Sequence, residues 1–574
     1  MIKYKYYSMC FSGLLREDIC NISEVSYCDI YEQRVVAYNN LASAICRITK
    51  DTKEKRIKVF AHDFSYFGFY ILKTLENMGF VDATMLPKKT GNVKVENRTY
   101  ICTASDQKWY KIEIGYEDKV IAFIDSKNQA PVSIKEICEM FGIEYSEEKD
   151  YARVNLKAVS EIEKMLIANG MTKNTIGASC LDIFTKMLQN CNKNVSKLFP
   201  DLTKMDDVSG DYKSLYDYIY EAYHGGLCFV NPLYQDRVIN AIGTSIDANS
   251  MYSSREHSKS GNAYPIGTPM YFKDARTLER MIENKNMYTF IRVRCDAFYL
   301  KDNKIPSVRA TQREMFFGSQ WLTEANTKKV RVLNGEMIKP EFIFTETDYK
   351  RFINDYYIKN IEIIDGYVFK AETGLFDEYI DKFFTMKKNA TNKGERQIAK
   401  LANNNLSGKF AAKEEILNKA YNKNGESTIY YSKQKTVFIP IGAAITSYSR
   451  DYLLNTIYKI GYDNFLYCDT DSIHFLGRDT KDIWIDEKEL GAWKVEHKWD
   501  MAIFYKQKMY IEREDGIYDF KCSGLSSETA DDIACKLTEG DLRIEDIKGM
   551  DIYDKMLNAD YNGYRINYIV KHIR

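Results

Sequence analysis

The stretch Tyr467-Cys468-Asp469-Thr470-Asp471-Ser472-Ile473-His474 decides how this chain is read. Two acids separated by one residue lie inside an apolar run from Phe465 to Leu476. In a strand, residues two apart point to the same side. Two carboxylates on one face of an apolar strand repel unless a cation binds there. Oxygen donors of this kind suit Mg²⁺, which keeps waters and takes a few carboxylates together with substrate phosphates. A bare D-x-D is equally compatible with a solvated hairpin turn, so the segment needs company before it carries chemistry.

Three further segments supply that company. In Ser245-Ile246-Asp247-Ala248-Asn249-Ser250-Met251-Tyr252, Asp247 ends a strand-like run and a turn-forming Asn-Ser follows. It could complete a metal pair with the first acids or cap the next helix. Between Lys382 and Lys413 eight basic residues accompany one acid, Glu395, a local balance of +7. On a helix Lys393, Arg396, Lys400 and Ser407 share roughly one face. That face could grip a triphosphate, or be an ordinary solvated basic surface. Lys506-Gln507-Lys508-Met509-Tyr510, and later Lys521-Cys522-Ser523-Gly524-Leu525, set lysine close to an aromatic or apolar residue, a pairing suited to a primer backbone.

The whole chain frames these segments. It has 574 residues, with 81 basic and 81 acidic side chains and a formal charge of zero. No global basic field announces a polyanion, so any nucleic-acid contact must be local. Hydrophobic residues at 45% and charged residues at 28% exclude a disordered or fibrous chain. Aromatics reach 14%, a Tyr-rich core or a set of stacking platforms. The N-terminus MIKYKYYSMCFSGLLRED lacks the apolar core of a signal peptide. The cleanest apolar stretch, Thr436 to Tyr448, is shorter than the ~20 residues of a membrane span. None of the 13 cysteines is in C-x-x-C spacing, which argues against structural zinc and for reduced thiols. The expectation is a soluble, cytoplasmic protein with no membrane partner. Short strand-like runs (IKVFAHDF, TYICTA, KVIAFIDS) alternate with helical ones up to residue 172, an α/β pattern. VINAIGTSIDA reads as a strand, and 381–406 as a helical stretch.

The order of these features resembles family B DNA polymerases. Asp247 to Tyr252 (DANSMY) is similar to motif A, D-x-x-S-L-Y; Lys400 to Gly408 (KLANNNLSG) to motif B, K-x-x-x-N-S-x-Y-G; Tyr467 to Ser472 to motif C, Y-x-D-T-D-S, without a mismatch; and Lys508-Met509-Tyr510 to K-x-Y. Tyr223-His224-Gly225-Gly226 resembles the Y-x-G-G motif of the protein-primed branch, which copies linear genomes of small tailed phages and related plasmids. Thr373-Gly374-Leu375-Phe376, Ile441 to Thr446 and Lys521 to Gly524 extend the likeness. The resemblance implies that Asp247, Asp469 and Asp471 are the catalytic acids. It implies that Asp247, Asp471 and the Ala248 carbonyl hold two Mg²⁺ ions, with Mn²⁺ as a substitute. Tyr252, Lys388, Arg396, Lys400 and Asn404 would bind the incoming dNTP, Tyr252 also excluding a 2′-hydroxyl. Lys508 and Tyr510 would steady the primer, and Tyr223, Gly225 and Gly226 the template.

Departures from the family pattern are as informative. In motif B the usual Ser and Tyr are Asn405 and Ser407, which removes an aromatic wall from the nascent base pair and implies lower base discrimination. In the proofreading half, D-x-E aligns with Cys10 and Ser12, H-N-x-x-F-D ends on Phe67, and Y-x-x-x-D ends on Asn155. Neutral groups at all four places cannot assemble a divalent-metal site. The reading is a degenerate exonuclease fold without 3′→5′ activity. His62, Tyr66 and Tyr151 could still hold single-stranded DNA by stacking, or simply pack in the core, and Asp63, Asp29 or Glu32 could in principle rebuild a site.

The fold class implied is a multidomain α/β and α+β chain: a ribonuclease-H-like, exonuclease-type domain at 1–172, then a right-hand polymerase. Its palm would span 173–255 and 437–525, its fingers 376–410 and its thumb 526–574. Two insertions, 256–375 and 411–436, would belong to the terminal-protein region, the second a β-hairpin with an Asn-Gly turn serving strand displacement and processivity. The function implied is a DNA-directed DNA polymerase working by two-metal nucleotidyl transfer. Its partners would be DNA template and primer, dNTPs and a terminal protein, with the chain a monomer or a heterodimer with that protein. Another priming mode, or a catalytically silent DNA-binding scaffold, are the competing readings.

Overall fold

The computed structural model describes residues 3–16, 19–83, 94–105, 108–146, 150–309, 314–316, 321–326, 330–332, 339–412, 415–421, 427–433, 437–523, 525, 527–547, 552–561 and 564–573. The N-terminal unit is built on an eight-stranded sheet. Its middle strands Lys5–Arg16, Arg56–Ala61 and Lys119–Asp125 run parallel, as β-helix-β crossovers require. Met9, Phe11, Val59, Ile121 and Phe123 alternate onto one face and bury against helices Leu41–Lys50 and Phe64–Asn77. The other face carries helix Tyr151–Ala168, whose Ser160 reaches Ser8 at 2.9 Å. Side-chain caps hold the helix starts: Asn40 accepts from Ser43, and Ser133 and Glu136 form a reciprocal capping box.

The polymerase half centres on a five-stranded antiparallel sheet. Its order is Trp493–His497, Gly243–Ala248, Ser472–Leu476, Phe465–Asp469, Cys228–Val230. Helix Ile439–Ile460 packs behind it, with Pro440 in its first turn where no amide bond is lost. Gly243 has no room for a side chain, because a Cβ there would meet the Trp499 ring at 1.9 Å. The strand expected from residue 238 begins only at Gly243, after an isolated bridge at Ile239. The helical stretch expected at 381–406 is two helices, Asp377–Asn389 and Lys393–Phe410. Asn392 divides them, accepting the Glu395 amide as the second helix's N-cap.

Between the Asp247 strand and these helices, four antiparallel strands form a separate sheet: Tyr264–Phe272, Glu362–Glu372, Met287–Arg294 and Glu341–Thr345. Strands Glu415–Tyr421 and Ser427–Lys433 pair as a hairpin; its expected Asn424-Gly425 turn lies outside the described residues. Toward the C-terminus come the sheet Met501–Lys506, Met509–Glu514, Ile517–Cys522, the helix Ser527–Glu539 and a terminal hairpin. Among the described residues no helix is long and apolar enough to cross a membrane, and none of the twelve cysteines whose side chains are described forms a disulfide.

Candidate active site

The two acids of the opening stretch do not share a strand. Asp469 ends one strand, Ser472 begins the next, and Thr470-Asp471 form the turn, with Thr470 at φ +61° and the Asp471 amide 2.6 Å from the Asp469 carbonyl. The expectation of one strand face is therefore corrected to a tight hairpin turn. The turn is only partly exposed. The Ala248 amide donates to the Asp471 carbonyl at 2.8 Å, which sets Asp247 against the hairpin. Burial, then the neighbouring Asp247 and Asp469 charges, push the Asp471 carboxyl up to about 7. Burial and Glu496 also raise Asp247, against the pull of Lys494, whose Nζ is 3.5 Å away. Asp469 is held differently, by Lys508 Nζ at 2.8 Å. Among the described residues no three His, Cys, Asp or Glu side chains cluster as a metal site. The available donors are thus two carboxylates, Asp247 and Asp471, with the Ala248 backbone beside them and Asp469 tied to a lysine. A cleft of about 400 Å³ opens over them, lined also by Glu496, Lys508, Tyr510 and Lys521.

Two supports explain the placement. Gly226 lies directly under the acid turn, where a Cβ would come within 2.4 Å of Thr470 Oγ1, and the Leu227 carbonyl accepts from the Thr470 amide at 2.8 Å. Buried Arg450 donates to the His224 and Gly225 carbonyls at 2.6 and 2.7 Å and pairs with Asp348 at 2.7 Å. The Tyr223–Gly226 segment is so fixed both to the turn and, through Arg450, to Asp348 of helix Glu346–Asp355. The second support is a buried trio: His474 Nδ1 is 2.7 Å from Glu512 Oε1, and Ser245 Oγ reaches the same oxygen at 2.6 Å. Burial would raise Glu512, but the facing His474 and the Ser245 hydroxyl outweigh it, so the carboxyl lies below its usual range. Tyr467, Phe504 and Tyr510 box this trio, with ring centroids 5.0–5.4 Å from His474. Neither Arg450 nor the trio has a local sequence signature, since each joins segments far apart in the chain.

The basic helices face the acids with two changes from expectation. Arg396, Lys400 and Asn404 form an exposed stripe on helix Lys393–Phe410. Lys387, not Lys388, completes it. Lys388 is exposed and pairs with Glu489 at 3.5 Å. Lys387 sits with Nζ 3.5 Å from Ser250 Oγ, and burial together with Arg396, Lys400 and Lys494 lowers its pKa while Asp247 opposes this. Adjacent residues on a helix are about 100° apart, and here Lys387 is the one turned toward Ser250 and Asp247. Ser407 is off the stripe as well: it is buried and faces Glu256, whose carboxyl burial pushes up to about 8. Tyr252 packs between the two core clusters of the polymerase half, near Tyr223.

In the N-terminal unit, Cys10 packs with Cys28 and Leu156 in a small apolar cluster. Asn155 is buried, 3.4 Å from the Tyr151 hydroxyl. Ser12 pairs with Glu24 across the strands. Phe67 stacks on Phe11 at 4.8 Å, on the core side of the sheet, away from the face that Cys10 occupies. The stacking role for His62 is corrected: its ring is buried, Nδ1 meets Ser126 at 2.9 Å and Nε2 meets the Val132 carbonyl at 2.8 Å. Tyr66 lies in helix Phe64–Asn77, and its side chain is outside the described residues. The conceivable replacement acids are engaged elsewhere, Asp63 with Lys127 at 2.7 Å, and Asp29 and Glu32 with Lys5.

A carboxylate turn on an antiparallel sheet, faced by a stripe of cations and a hairpin lysine, defines a template-directed nucleotidyl transferase of the DNA polymerase class. Residues 151–490 match the family described as DNA polymerase type B, organellar and viral, and the chain belongs to that family. It is 26% identical over 564 residues to the DNA polymerase of Bacillus phage M2, covering 92% of this chain and 90% of that one. To the DNA polymerase of Bacillus phage phi29 it is 27% identical over 544 residues, covering 88% and 86%. The solved phi29 DNA polymerase complexed with primer-template DNA shares the fold over 99% of this chain and 100% of that chain, with a TM-score of 0.77 at 22% identity.

Proposed function

We propose that this polymerase replicates a linear genome from a protein primer, adding dNTPs by Mg²⁺-dependent nucleotidyl transfer, and that it does not proofread. One observation carries the catalytic reading: Asp471 and Asp247 meet where the Ala248 amide closes on the acid turn, and Asp471 is driven toward protonation by burial and by its acidic neighbours. Carboxylates held together at that cost fit a divalent cation, and oxygen donors without His or Cys favour Mg²⁺. Asp247, Asp471 and the Ala248 carbonyl would hold it; when bound, such ions activate a primer 3′-hydroxyl and neutralise the leaving pyrophosphate. Lys387, Arg396 and Lys400 would neutralise the triphosphate and orient it. Lys508, anchored on Asp469, would place the primer end, with Tyr510 packed beneath it.

Structures of phi29 DNA polymerase hold primer-template DNA and incoming nucleotides, which supports these as the partners here. Protein priming is supported by the Tyr223–Gly226 motif and by the sheet and hairpin inserted on either side of the fingers. The absence of proofreading is supported by the apolar packing of Cys10 and Phe67 and by the neutral amide of Asn155, bonded to the Tyr151 hydroxyl. The test is primer extension on a primed single strand with Mg²⁺ and dNTPs. Extension by wild type, with none from Asp471→Asn, supports the reading. No extension by wild type across metals refutes catalysis. Metal-dependent trimming of a single-stranded primer refutes the loss of proofreading, and failure of any partner protein to become nucleotidylated refutes protein priming.

A further inference from the structure

A groove of about 790 Å³ lies where the N-terminal sheet meets the linker into the polymerase half. Strands Arg56–Ala61, Lys108–Tyr116 and Lys119–Asp125 form its floor, and Thr172–Thr175 with helix Ile176–Asn190 form a wall. Five cations line it: Arg56, Lys58, Lys111, Lys173 and Lys186. Two carboxylates answer them. Glu113 holds Lys111 at 2.6 Å, and Asp182 holds Lys173 and Lys186 at 3.1 and 2.7 Å. Among the described residues Arg56 and Lys58 have no carboxylate within 4 Å; Lys58 instead donates to the Thr172 carbonyl at 2.6 Å and lies 5.1 Å from the Tyr4 ring centre. Tyr4, Tyr6 and Tyr110 bring three aromatic rings into the same lining, Tyr4 and Tyr6 with centroids 6.2 Å apart.

We propose that this groove is a holding site for single-stranded DNA, with phosphates on Arg56, Lys58 and Lys111 and bases stacked on Tyr4 and Tyr110. Surplus cations interleaved with aromatic rings are what sequence-tolerant binding of an unpaired strand needs, whereas a duplex has no free base faces to offer the tyrosines. An acidic protein would match the charge but leave the rings unexplained. The groove is not the degenerate exonuclease site. None of Cys10, Ser12, Phe67 and Asn155 lines it, and its nearest lining residue on the Cys10 strand, Tyr6, lies four residues away, about 13 Å along the strand. A domain without metal chemistry thereby keeps a use for its sheet: retaining a strand beside the polymerase half.

The test is anisotropy of a fluorescent oligothymidylate on the full chain, with the polymerase cleft saturated by unlabelled primer-template. Arg56→Ala/Lys111→Ala is expected to weaken binding about 10-fold and to lower the salt slope by about 0.7 for each phosphate no longer neutralised. Tyr110→Ala is expected to weaken it roughly 5-fold or more, the scale of removing one base stack, and Arg56→Lys to retain binding. Primer extension on short templates should stay at wild-type level in every variant, which shows that the fold is intact. Unchanged oligothymidylate affinity in both variants overturns the proposal, as does a loss seen only with duplex probe, or only with an acidic protein partner. The readout is binding, so it stands apart from whether the chain adds nucleotides.

Discussion

Removing Glu512 tests whether the hairpin that carries Lys508 and Tyr510 is fastened to the acid-bearing sheet through the buried trio. Glu512 and His474 are each about 4% exposed as side chains, and Glu512 Oε1 receives both His474 Nδ1 and Ser245 Oγ. Hydrogen bonds to a buried charged group contribute about 1.5–3 kcal/mol each. Breaking a buried pair by removing one partner costs about 3–5 kcal/mol. Glu512→Ala should therefore cost about 3–5 kcal/mol, and Glu512→Gln, which keeps the shape and one acceptor, roughly half of that. At about 2–4 °C per kcal/mol for a unit of this size, melting falls by on the order of 10 °C. The acid side of the profile gives a second sign. The Glu512 carboxyl is held below its unfolded range, so its contribution is present above the unfolded value of 4.5 and is lost as pH falls through the lower folded value. Wild type should then lose stability at acid pH more steeply than Glu512→Gln. Function should split as well: Tyr510 is two residues along the same strand and Lys508 heads it, so KM for primer–template rises while KM for dNTP stays. Thermal unfolding and steady-state extension measure both. A double-mutant cycle of Glu512→Gln with His474→Gln giving a coupling under about 0.5 kcal/mol, or an unchanged melting temperature for Glu512→Ala, refutes the reasoning.

Other expectations follow from single contacts. Lys387→Ala should raise KM for dNTP about 10-fold or more, whereas Lys388→Ala, which removes only an exposed pair with Glu489, should change it less than 2-fold; steady-state extension decides, and the reverse order would return the role to Lys388. Glu256 is protonated more readily folded than unfolded, so it lowers stability as pH rises from 4.5 to about 8; Glu256→Gln should be more stable than wild type at pH 8, by up to about 4 kcal/mol, and equal near pH 4, measured by denaturant melts. Ser407→Tyr should cost about 1–3 kcal/mol by overpacking the buried space beside Glu256, and an unchanged midpoint would show that the ring finds room. Cys10→Asp should destabilise the N-terminal unit by burying a carboxylate against Cys28 and Leu156 without restoring trimming, read by melting and by a primer-degradation assay.

What was legible in the sequence was local. Asp247, Asp469 and Asp471 could be found because each sits in a short motif whose spacing matters, and the sheet brings Asp247 and Asp471 together at the Ala248–Asp471 hydrogen bond. Even there the geometry differed. D-x-D read as one strand face, but the strained φ of Thr470 turns the chain between the two acids, so one carboxylate points into the cleft's buried cluster and the other is taken by Lys508. Lys387 and Lys388 are indistinguishable by composition; only the phase of helix Asp377–Asn389, set by Tyr379, Ile380 and Phe383 in the core, chooses between them. Arg450 and the Ser245–His474–Glu512 trio were invisible, because contacts across more than two hundred residues leave no spacing to read.

The N-terminal unit makes the converse point. With Cys10 and Asn155 where the family pattern has acids, the sheet is spared the repulsion and desolvation that a metal site imposes. Cys10 now packs against Cys28 and Leu156, and Asn155 bonds Tyr151 on its own helix. Those contacts stabilise the domain in the absence of any cation, so a single restored acid meets an apolar wall rather than a waiting site. The same unit places Arg56 and Lys58 beside Tyr4 and Tyr6 with no carboxylate within 4 Å among the described residues. Lys58 still serves the fold, through its bond to the Thr172 carbonyl and the attraction of buried Glu163, whereas exposed Arg56 is the cation whose place beside the rings the proposed holding of DNA accounts for.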